Sequence, residues 1–163
     1  MNMIYRVEAY NLSHASENRI HDDATAQRFG FTGGLVPGVE VFAYCCHPAV
    51  EQWGRGFLRQ GEISAGFQKP VYDGRIATVT ATPEADGLAL AVESEGVACA
   101  NGFARMPEAP AQAVSLADWP AASLPETRPK ASDESLAPGL WLGTHVLELT
   151  PQVLADYLRD VRE

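Results

Sequence analysis

The chain has 163 residues, enough for one domain with a substantial core. It is 46% hydrophobic and 20% charged, as is usual for a globular protein, and no apolar run is long enough to span a membrane. The net charge of −9 argues against a nucleic-acid ligand, because basic residues supply most affinity for phosphate backbones. The N-terminus lacks the basic and apolar segments of a signal peptide. We therefore expect a cytoplasmic protein that binds neither nucleic acid nor membrane.

The first third of the chain predicts a strand, a short helix and a buried helix. Residues 3–10 alternate with a period of two, which is typical of a strand. Residues 23–30 predict a short helix with Asp23 as its N-cap. Residues 39–54 are apolar nearly all round, which indicates a helix buried on most sides and kinked or ended by Pro48.

The next segments predict four strands, over 62–74, 75–84, 87–94 and 96–106. The turn pairs between them favour hairpins: Asp73-Gly74, Asp86-Gly87 and Glu95-Gly96. We therefore predict an antiparallel four-strand meander. Because one apolar helix needs cover on several sides, the expected class is α+β, with a curved antiparallel sheet wrapped around a central helix.

The three cysteines, Cys45, Cys46 and Cys99, are too few and too odd in number for a disulfide framework. Cys45-Cys46-His47 has the residue types of a metal site, but neighbouring residues of a helix point about 100° apart. We predict buried core thiols, and neither a metal nor another cofactor.

The last third has a different composition. Residues 107–138 hold 6 of the 11 prolines and predict an extended linker. Residues 140–150 resemble a strand, and a helix follows with Thr150 as N-cap and Pro151 in its first turn. Its apolar stripe consists of Val153, Leu154, Tyr157, Leu158 and Val161. The predicted organisation is a domain over 1–106, a linker over 107–138 and an extension over 139–163.

Three short motifs carry a family resemblance. They are "SENRIHDD" at 16–23, "RFGFTGGLVPGVEV" at 28–41 and "FQKPVYDG" at 67–74. Together they resemble the MaoC-like hot-dog proteins, which include (R)-specific enoyl-CoA hydratases, and the resemblance covers residues 1 to about 106. It implies a hot-dog fold with a central helix over about 38–52. The extension then resembles the start of a second hot-dog unit, or it is an ordinary C-terminal helix docked on its own domain.

The resemblance also implies an active site, with two departures from the family pattern. Ser16 stands where the family has its catalytic aspartate, and Arg19 stands where it has proline. His21 matches the catalytic histidine, whose free imidazole pKa near 6.5 suits acid–base work. Gly38 would offer backbone N–H groups to a thioester carbonyl. Asn18, Phe31 and Val39 complete the implied substrate site.

Glu40 is the candidate for the missing acid. It lies two residues after Gly38, in the predicted first turn of the central helix. It either complements the helix dipole or points into the cavity, paired with His21.

Three functions remain open. The first is hydration or dehydration of an acyl thioester carried by coenzyme A or acyl carrier protein. The second is a thioesterase using Glu40 or a water activated by His21. The third is a non-catalytic acyl-thioester-binding or structural subunit. Since members of this family pair to close their sites, the resemblance implies a homodimer or a larger homo-oligomer.

Overall fold

The computed structural model describes residues 1–13, 21–109, 111–112, 115–119, 122–124, 126–127, 129–142 and 148–160. The chain divides into two compact units, of which the first includes Met1–Ala111 and the second Gln112–Arg159. The predicted three-part organisation stays a prediction.

The described part of the first unit contains five strands and three helices. In chain order they are β1 (Met3–Glu8), α1 (Asp23–Arg28), α2 (Gly38–Trp53), α3 (Phe57–Gln60), β2 (Glu62–Phe67), β3 (Ile76–Glu84), β4 (Gly87–Ser94) and β5 (Val97–Arg105). A 3₁₀ turn, Gly54–Gly56, joins α2 to α3.

The strands form one antiparallel sheet in the order β1-β3-β4-β5-β2. α2 packs against all five strands. The predicted α+β arrangement, a curved sheet around a central helix, is confirmed. The hairpins at Asp86-Gly87 and Glu95-Gly96 are also confirmed, since β3 pairs with β4 and β4 with β5.

The predicted hairpin at Asp73-Gly74 is wrong. β2 ends at Phe67 and pairs with β5, whereas β3 pairs with β1. Pro70 lacks an N–H for a strand ladder, and the chain then crosses to the far side of the sheet. There the N–H of Gly74 donates to the carbonyl of Ala9 over 2.8 Å. The turn therefore closes the β1 side of the sheet.

α2 buries one stripe, not its whole circumference. The buried positions recur one and four residues apart, as a helix lying on a sheet requires: Glu40, Val41, Tyr44, Cys45, Pro48 and Ala49. Pro48 stays inside the helix, which continues to Trp53. The rest of the core comes from the inward faces of the strands, including Val79, Leu90 and Val92.

The cysteines behave as core thiols. Cys45 and Cys99 are buried, Cys46 is half-buried, and all three are free. Burial, with Cys46 beside it, raises the pKa of the Cys45 thiol to about 11. Because metals bind the thiolate, Cys45 is a poor ligand at neutral pH. The described residues hold no cluster of three or more His, Cys, Asp or Glu side chains placed for a metal ion.

The second unit contains a 3₁₀ turn at Leu116–Asp118 and α4 (Pro151–Asp160). The Thr150 hydroxyl accepts the N–H of Val153 over 3.2 Å, as the predicted cap requires. The predicted strand is absent from 140–142 and 148–150, and residues 143–147 lie outside the described residues. No helix of the described part of the chain has the length and apolar character to cross a membrane.

The described part of the apolar stripe of α4 is exposed. Its four described members, Val153, Leu154, Tyr157 and Leu158, are 50–57% exposed, and Val161 lies outside the described residues. The predictions that this helix docks on its own domain or begins a second hot-dog unit both stay predictions.

Candidate active site

The ring of His21 has a fixed tautomer. Its Nδ1 lies 2.7 Å from the carbonyl oxygen of Leu35. A carbonyl can only accept a hydrogen bond, so Nδ1 carries the hydrogen and donates it. The other ring nitrogen, Nε2, then holds a lone pair in the neutral imidazole. The half-buried His21 is thus arranged to take a proton through Nε2.

The backbone of His21 is held by Asn11, a residue outside the three motifs. Asn11 is fully buried, and its side-chain Nδ2 donates to the carbonyl of His21 over 2.7 Å. The N–H of Asn11 donates to the Asp73 carboxylate over 2.8 Å. The sequence indicates this role only weakly, because Asn11 is a single amide residue that follows the alternating residues of β1.

The acidic residues after His21 have roles other than those predicted. The N-cap of α1 is Asp22, whose carboxylate accepts the N–H of Thr25 over 3.0 Å, and not Asp23. The Asp23 carboxylate instead accepts the N–H of Gly34 over 2.5 Å. Gly34 precedes Leu35, so Asp23 anchors the loop whose carbonyl holds the ring of His21.

The start of α2 leaves backbone donors available. Its N-cap is Pro37, which has no side-chain capping bond. Among the described residues, no acceptor faces the N–H of Gly38 or Val39, whereas the N–H groups of Glu40 and Val41 donate to the carbonyl of Pro37. The positive end of the helix dipole lies at the same point. This end of α2 can therefore stabilise an oxyanion.

Glu40 is only 4% exposed. Side chains four residues apart share one face of a helix, so Glu40 lies one turn before Tyr44 on the same face. The hydroxyl of Tyr44 accepts the N–H of Tyr10 over 3.4 Å. Tyr10 immediately precedes Asn11, which binds His21. The face of α2 that carries Glu40 is therefore directed towards the chain segment that holds His21.

A groove of about 250 Å³ lies beside the start of α2. It is lined by Leu35, Val36, Gly38, Val41, Phe67, Gln68, Lys69, Pro70 and Val71. A side-chain carbon on Gly38 would lie 3.7 Å from the ring of Phe67, so this half-exposed ring covers Gly38. The lining contains neither His21 nor Glu40, but it includes Leu35, whose carbonyl binds the ring of His21. Three larger cavities are lined by none of Leu35, His21 and Glu40.

The remaining predicted site residues are not assembled here. Ser16 and Asn18 lie outside the described residues. Phe31 is half-buried, and its N–H donates to the carbonyl of Ala26 at the end of α1. Phe31 does not line the groove. The side chain of Val39 is 71% exposed, so its backbone N–H is the part available to a ligand.

Gly34→Ala is expected to destabilise the protein. A side-chain carbon at Gly34 would lie 2.7 Å from the carbonyl oxygen of His21 and 3.0 Å from the Asp23 carboxylate. The backbone must shift, at a cost of about 1–3 kcal/mol in free energy of unfolding. Gly33→Ala is the matched control, because its added carbon meets Asp23 at an ordinary 3.4 Å. Equal stability of both variants in urea unfolding would contradict this account.

No protein-family model matches the sequence, and no curated protein matches it either. Solved structures do match. The (R)-hydratase from A. caviae involved in PHA biosynthesis superposes with a TM-score of 0.50 and 17% identity, over 66% of this chain and 95% of that chain. The ChsH1–ChsH2 complex from Mycobacterium tuberculosis gives 0.51 and 12%, over 66% and 96%. At such identities the likeness shows the fold alone. It confirms the resemblance to hot-dog hydratases at that level.

Proposed function

Given its hot-dog fold, we propose that this chain binds an acyl thioester and adds water to, or removes it from, the carbon–carbon bond beside the carbonyl. The observation that carries the proposal is the hydrogen bond between His21 Nδ1 and the carbonyl of Leu35. That bond holds the ring of His21 against the loop that enters α2 and leaves Nε2 to act as a base. The N–H groups at the start of α2 are the proposed oxyanion donors.

The proposed reaction assigns one role to each group. The N–H groups of Gly38 and Val39 polarise the thioester carbonyl of a 2-enoyl substrate. His21 Nε2 takes a proton from water while the water oxygen bonds to C3, and Ser16 orients that water. Glu40 gives a proton to C2 as the enolate collapses. Proton exchange with solvent then resets both residues, and dehydration runs the same steps backwards.

Two other functions use the same elements. The burial of Glu40 at the start of α2 also suits a thioesterase, in which a carboxylate attacks or activates water at the carbonyl carbon. Ser16 at the position of the family's aspartate suits a binding subunit without activity. We place hydration first, because only hydration and dehydration use both His21 and Glu40.

Incubation with crotonyl-CoA tests the proposal. Loss of the enoyl absorbance without release of thiol is the expected result. Release of free thiol would instead identify a thioesterase. Saturable binding with neither change would identify the binding subunit. The same assay with a crotonyl acyl carrier protein determines which carrier the chain prefers, and we expect acyl-CoA.

We expect at least a homodimer. Among the described residues, β1 and β2 each pair on one side only, which leaves two open sheet edges. The stripe on α4 also exposes four apolar side chains, whose burial stabilises by about 25 cal/mol per Å². Light scattering at micromolar concentration measures the mass. A monomer at that concentration would contradict this expectation. A chain ending at residue 138 shows whether the α4 stripe contributes to the contact.

A cytoplasmic location also stays a prediction.

A further inference from the structure

We infer that Asn11 is a positioning residue for His21, acting through the hydrogen bond from its side-chain amide to the carbonyl of His21. This inference rests on the proposed function, because it concerns the orientation of the proposed base. Asn11 does not contact the reacting atoms in this scheme, so its effect must pass through His21.

The bond belongs to a closed hydrogen-bond network. Asn11 Nδ2 donates to the His21 carbonyl, and the backbone N–H of Asn11 donates to the Asp73 carboxylate. The N–H of Asp73 in turn donates to the carbonyl of Gly34 over 3.2 Å. Leu35 follows Gly34, and its carbonyl accepts from the ring of His21. The network therefore holds His21 at two points, its backbone and its ring.

The two fixed points determine where Nε2 points. With the backbone held by Asn11 and Nδ1 held by Leu35, the side chain of His21 has little freedom to rotate. Without the Asn11 bond, the backbone of His21 can move and the Nδ1–H bond weakens. A displacement of about 1 Å at a catalytic group can lower the rate about 10²-fold.

The amide group of Asn11 allows a substitution that distinguishes a positioning role from a merely structural one. Its Oδ1 accepts the N–H of Ser13 over 2.9 Å, a local turn contact that an aspartate can also make. Only the Nδ2 group donates to His21, and an ionised carboxylate cannot donate. Asn11→Asp thus keeps the shape and the turn contact while removing the bond to His21.

The test measures the His21 ring and the reaction in the same variants. Nitrogen NMR of labelled imidazole should show mainly the Nδ1–H tautomer in the unaltered protein and a mixture in Asn11→Asp. In crotonyl-CoA hydration, kcat should fall about 10- to 100-fold with little change in KM. Asn101→Asp is the matched control, since Asn101 is exposed on β5 and should alter neither measurement. An unchanged His21 tautomer in folded Asn11→Asp would overturn the inference.

A second variant covers the case in which Asn11→Asp does not fold. A carboxylate at position 11 would be buried beside Asp73, whereas Asn11→Ala removes the same donor without adding charge. The same shift of tautomer is expected in Asn11→Ala, and its absence counts against the inference. Because the tautomer is read without substrate, the result stands even if the unaltered protein hydrates nothing, an outcome that would refute only the proposed function.

Discussion

His21→Ala is expected to lower kcat/KM for the hydration of crotonyl-CoA by about 10² to 10⁴, the usual contribution of one general acid or base. The loss should appear mainly in kcat, because His21 is proposed to act on the water and not on the bound thioester. Initial rates of absorbance loss at saturating and at limiting substrate give kcat and kcat/KM separately.

His47→Gln is the control for this substitution. The ring of His47 stacks on Tyr5 with centroids 3.7 Å apart, and no backbone carbonyl fixes its tautomer among the described contacts. Its variant should stay within a few-fold of the original activity. Thermal unfolding of both variants checks that the fold persists. Full activity in His21→Ala would exclude His21 as the base.

Glu40→Gln is expected to lower the same activity by about 10² to 10⁴. Glutamine keeps the size and shape of the side chain but cannot donate a proton to C2. Glu40 is 4% exposed, and glutamine fills the same space. We therefore expect the loss of the proposed proton donor to lower kcat by more than it lowers stability.

The competing account of Glu40 is complementation of the helix dipole. In that case Glu40→Gln would change the free energy of unfolding by about 0.3–1 kcal/mol and leave kcat unaltered. Glu51→Gln is the matched control, because Glu51 is an exposed glutamate on the same helix. Activity retained in both variants would remove Glu40 from the mechanism and favour the dipole account.

The local patterns of the sequence predicted most elements of the first unit, but not α3. Period-two alternation predicted β1 and β3–β5, and the apolar run predicted α2, because these patterns record which side chains face one common core. The Asp86-Gly87 and Glu95-Gly96 turns were predictable for the same reason. The resemblance of three motifs selected the hot-dog arrangement and His21, both without any knowledge of distant contacts.

The tertiary structure alone decided which distant segments meet. A turn pair such as Asp73-Gly74 predicts that the chain reverses direction, but it does not predict which strand the turn will contact. Here the turn binds the end of β1. The bond from the N–H of Asn11 to Asp73 links residues 62 positions apart, so no local period can contain it. Burial of Glu40 likewise depends on the whole sheet that covers its face of α2. Hydrogen bonds and burial of this kind are set by the packed sheet and helix together.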